Sequence, residues 1–132
     1  MILAGIAMPV TKFTFTKSRE MELQTHLRAM RNAIDEYKRF SDAGLIQVDI
    51  GSDGYPETLE ELVEGVEVVG QVDRTTRFLR KVPTDPFTGE AEWGQRSYQD
   101  EPDTDRWGGE NVFDVYSLSR KRGLNGIAYA EW

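Results

Sequence analysis

EMELQTHLRAMRNAIDEYKRF, residues 20–40, spaces Leu23, Leu27, Met30, Ile34 and Tyr37 at alternating steps of four and three. That spacing draws one apolar stripe along an α-helix with about 3.6 residues per turn. Arg28, Arg31, Asp35, Glu36, Lys38 and Arg39 fall mostly between, on the wetter side. Opposite charges three or four residues apart add small local support. Gly44 follows as the expected stop, because glycine accepts the left-handed turn after a helix end.

Upstream of the stripe the character changes. MILAGIAMPV, residues 1–10, is an apolar block on an otherwise polar, acidic chain. It is shorter than the about 20 apolar residues that cross a bilayer, and it lacks the basic flank and cleavage site of a signal peptide. It reads as the cut end of a longer hydrophobic helix. TKFTFT, residues 11–16, alternates like a strand, yet both flanks are helical. The expectation is therefore one helix over 1–41, kinked at Pro9 by a missing backbone donor. Residues 2–15 should project from the body or be covered by a neighbour.

Downstream, 42–132 reads as a globular body. Gln47–Ile50 is a short strand candidate, followed by the turn cluster GSDGYP. Thr58-Leu-Glu-Glu61 has capping-box spacing and predicts a short helix to about Glu64. Val66–Val69 is a linker or short extended piece. Pro83 and Pro86 forbid a regular helix. Trp93–Gln99 and Val112–Ser117 are the strand candidates of the last third. The class is α+β: a long N-terminal helix packed on a small antiparallel sheet.

Charge and composition narrow the function. The 132 residues carry 16 basic and 23 acidic side chains and a net charge of −7, which disfavours non-specific nucleic-acid binding. Residues 1–40 are basic on balance and the remainder acidic. Lys12, Lys17 and Arg19 therefore stand beside the apolar block, where they suit either an anionic membrane surface or plain solvation. Catalysis has little support. His26 is the one histidine, no cysteine is present, and Ser117 and Ser119 have no histidine near them in sequence. Trp93, Trp107 and Trp132 are able to stack on sugars, but in a small body they serve more often as anchors. A small secreted enzyme or carbohydrate-binding protein would need a cleft with converging acids. Asp100, Asp103, Asp105 and Glu110 alternate in a loop with two glycines. They form a candidate hard-cation site for Ca²⁺, against the alternative of aspartates bonding nearby backbone amides.

Four stretches together resemble the type IV pilin-like family, and more closely the major pseudopilins of bacterial type II secretion. They are AGIAMPV (4–10), GYPETLEELV (54–63), VPTDPFTGEAEW (82–93) and FDVYSLS (113–119), with Trp132 closing the chain. The first is similar to the proline-kinked part of the family's N-terminal helix. The others are similar to its G-x-P-x-x-L-x-x-L, P-x-D-P-(W/F) and D-(V/I/L)-Y-S segments. The resemblance implies a helix-built pseudopilus filament, a periplasmic globular domain anchored at the inner membrane, and contacts with other pseudopilins and inner-membrane secretion components. Its assembly residues would be Ile2, Leu3, Ile6, Met8, Pro9, Val10, Phe13 and Phe15. The family often holds Ca²⁺ in the loop after Y-S, which makes Leu118 and Asn125 alternative ligands. Here that loop carries Arg120, Lys121 and Arg122, which argue against the cation. Leader, cleavage site and an early glutamate are missing from the pattern, so the chain is expected to begin inside the helix. The neighbouring expectation is a type IV major or minor pilin, serving adhesion, motility or DNA uptake. Pilins commonly close their C-terminal region with a disulfide, which this chain cannot form.

Overall fold

The computed structural model describes residues 9–132. Helix α1 spans Val10–Asp42 and helix α2 Leu59–Glu64; strands β1 (Val66–Glu67) and β2 (Thr75–Thr76) pair antiparallel, as do β3 (Gly94–Arg96) and β4 (Asp114–Tyr116). A 3-10 turn, Tyr129–Glu131, closes the chain. The expected helix-on-sheet layout is present, with two small sheets where one was anticipated.

The stripe makes the core. Leu23, Leu27, Met30, Ile34 and Tyr37 are all buried, and they pack with Leu59, Leu62, Trp93, Val112, Val115 and Tyr129. Full burial of one such aliphatic side chain contributes about 1.5–3 kcal/mol relative to exposure. The stripe therefore fixes α1 to the body more firmly than helix propensity does. Ala33 and Glu20 complete the buried face.

Both ends of α1 are set locally. Pro9 caps the start at φ −55° and ψ 139°, outside the helical region, and its carbonyl accepts from Phe13 N–H. The expected kinked passage through Pro9 is thus corrected: within the described residues the proline precedes the helix, where its lack of an N–H costs nothing. TKFTFT is helical, and the Thr14 hydroxyl donates to the Val10 carbonyl 2.9 Å away. At the far end, Leu45 N–H bonds the Phe40 carbonyl and Gly44 N–H the Ser41 carbonyl, with Gly44 at φ 71°. That is the paired Schellman closure.

The body departs from expectation at Gln47–Ile50. That segment is irregular because no backbone among the described residues pairs with it, and Ile50 is fully exposed. Val66–Glu67 takes the extended alternative, as an edge strand on Thr75–Thr76. Thr58 caps α2 as expected, its hydroxyl accepting from Glu61 N–H. The Glu61 carboxylate reaches back to Glu57 N–H and also accepts from the Tyr37 hydroxyl, tying α2 to α1.

Candidate functional site

The exposed start of α1 is the feature that the fold leaves unused. Val10, Phe13 and Phe15 are exposed at 80%, 48% and 67%, while burial on the same helix begins only at Glu20. Water contact of two phenylalanines on a rigid helix is unfavourable, and covering them would be favourable. Pro9 is exposed beside them. Ile2, Leu3, Ile6 and Met8, the other expected assembly residues, lie outside the described residues. No helix among the described residues is long and apolar enough to cross a membrane.

Glu20 is the residue that sequence reading missed. It is 4% exposed, and its Oε1 accepts from Leu124 N–H at 2.9 Å and the Tyr129 hydroxyl at 3.2 Å. A helix carboxylate thereby fixes the segment 121–129, which also closes on itself through the Arg122–Ala128 bridge. Burial and the neighbouring Glu20 charge push the Tyr129 phenol up to about 12. A signal existed: Glu20 lies three residues before Leu23, on the continuation of the apolar stripe.

Arg31, expected on the wetter side, is half-buried. Its guanidinium donates to Asp114 at 2.9 Å, to the Val115 carbonyl at 2.9 Å and to the Trp132 carbonyl at 3.1 Å. One side chain thus joins the middle of α1 to β4 and to the last residue.

The acidic loop is organised by its own backbone. One Asp100 oxygen accepts from Ser97 N–H at 2.8 Å and Gly108 N–H at 2.9 Å. These two bonds, that from Gly108 foremost, hold the carboxyl below its usual range. Asp103, Asp105 and Glu110 are exposed. No group of three acidic or histidine side chains able to hold a metal occurs among the described residues. Leu118 and Asn125 are exposed in the second loop, where Asn125 Oδ1 accepts from Ile127 N–H.

Candidate nucleophiles and stacking rings are likewise engaged. Ser117 is wholly buried and donates to Asp85 Oδ2 at 2.5 Å, while His26 Nδ1 meets the Thr84 carbonyl at 3.0 Å. The structure therefore does not join Ser117 and His26 as nucleophile and base. Asp85 also accepts from Phe87 N–H, which makes it the hub of the V-P-T-D-P turn. The Trp93, Trp107 and Trp132 indoles donate to the carbonyls of Pro83, Asn111 and Ile127. Tyr55, Tyr98 and Phe113 form an aromatic trio at the surface, with centroids 5.1–5.7 Å apart.

Comparison of the chain with protein-family models, curated proteins and solved structures found no match.

Proposed function

We propose that this chain is a structural subunit of a pseudopilus-like filament, built by packing the N-terminal helices of many copies. The observation that carries the reading is the exposed start of α1: Val10, Phe13 and Phe15 face solvent on a helix whose own core contacts begin ten residues beyond Val10. The apolar block 1–10 precedes it directly, and the four stretches resembling major pseudopilins point the same way. On this reading the work is mechanical. Helix burial drives assembly, and the acidic bodies coat the filament. Association costs offset much of the gain, so each subunit needs many such contacts.

The partners would be further copies, minor pseudopilins and the inner-membrane components of the secretion machine, with the body in the periplasm. The absence of cysteine favours this over a pilin closed by a disulfide.

The test is filament formation in a secretion-competent bacterium lacking its own major subunit, with a hydrophobic helix and leader supplied upstream of Met1. Electron microscopy should show filaments containing the chain. Phe13→Asp with Phe15→Asp should abolish them while leaving the melting temperature unchanged, since both rings are outside the core. Filaments unaffected by the double substitution, or none from the unaltered chain, would remove the reading.

A further inference from the structure

A positively charged cleft lies between the start of α1 and the segment 121–129. It has a volume of about 560 Å³ and is walled by Lys12 and Arg19 from the helix and by Lys121 and Arg122 from the distant loop. Phe15 and Phe87 contribute aromatic surface, and Phe87 stacks on Tyr129 with centroids 4.0 Å apart. The loop wall is positioned rather than draped. Glu20 holds Leu124 and Tyr129, and Tyr129 N–H in turn bonds the Lys121 carbonyl at 3.1 Å. Arg122 spends one guanidinium donor on the Gly126 carbonyl and keeps the rest.

None of these four cations pairs with an acid among the described residues. Four exposed cations from segments about a hundred residues apart concentrate positive potential at the cleft, and the buried Glu20 carboxylate behind Tyr129 offsets only part of it. We infer that the cleft between Lys12, Arg19, Lys121 and Arg122 is a binding site for the phosphate group of an anionic phospholipid. Two features favour a lipid headgroup over an acidic protein. Phe15 lines the cleft while 67% exposed, and suits the apolar side of a membrane interface. Residues 41–132 other than Lys121 and Arg122 carry 7 basic and 19 acidic side chains, so an anionic surface repels the body and admits only this end. The inference goes beyond the filament reading, and vesicle binding is measured without filaments, so either can fail alone.

The test is sedimentation of the chain with vesicles of phosphatidylglycerol in phosphatidylcholine and with vesicles of phosphatidylcholine alone. Binding should require the anionic lipid and weaken with salt. Lys121→Glu with Arg122→Glu, and separately Lys12→Glu with Arg19→Glu, should each lower partitioning by about 25-fold or more, at roughly fivefold per cation lost. The helix pair is solvent-exposed and keeps the test valid if the loop pair disturbs folding. Arg28→Glu removes a cation outside the cleft and should leave partitioning nearly unchanged. Equal binding to both vesicle types, insensitivity to both double substitutions, an equal loss with Arg28→Glu, or saturation by free inorganic phosphate at lower concentration than lipid would each overturn the assignment.

Discussion

Gly94 shows how little room the junction of β3 and β4 has. A Cβ at that position would overlap the Tyr116 ring, which also carries the Arg96 guanidinium 4.1 Å from its centroid. The close approach is what the glycine provides, and the Tyr116 ring it faces is itself buried. Gly94→Ala is expected to destabilise the protein by about 1–3 kcal/mol, the usual range for overpacking, read as a lower midpoint in urea unfolding. The residues most consequential here were also the least legible in sequence. Glu20 and Arg31 look like ordinary surface charges on a helix until distant segments are brought to them. Asp85 is similar: a D-P turn is recognisable, whereas its complete burial against Ser117 depends on contacts over thirty residues away.

At the level of elements, the long helix was readable because its signal is local and repeated, and because the stripe has a single possible inward face. Its stop was readable too, and it carries a prediction. Gly44 has open space around the missing Cβ, so Gly44→Ala tests backbone conformation alone. At φ 71° the change is expected to cost about 1–2 kcal/mol, with fraying of the last turn visible as faster amide exchange at Gly44 and Leu45. The strands were harder. Each is only two or three residues long, so alternation has no length over which to declare itself. Gln47–Ile50 has strand-like composition but no partner among the described residues, whereas Val66–Glu67 has one; composition does not distinguish the two. The acidic loop was legible as a turn-rich segment with two possible uses, and the bonds that Asp100 accepts from the Ser97 and Gly108 amides reveal one of them.

For the whole molecule, the joint between helix and body at Glu20 and Tyr129 makes stability depend on pH at the alkaline end. A phenol held protonated in the fold stabilises it fully below the ordinary value of 10.0, and that contribution is withdrawn as pH rises through about 12. Tyr37, raised by burial and by Glu61, adds to the same slope. Tyr129→Phe should therefore lose about 1 kcal/mol at neutral pH with the hydroxyl bond, yet show a shallower fall in melting temperature between pH 10 and 12. An unchanged alkaline slope would mean that the phenol does not ionise with unfolding. The continuous contact of Leu23 through Tyr37 has a separate consequence. Fourteen residues of rise place these anchors along about 21 Å of axis. Tension applied along the rod strains all of them simultaneously, in shear. A sideways pull would instead peel them open singly. A molecule so arranged resists being drawn lengthwise far better than being pried apart.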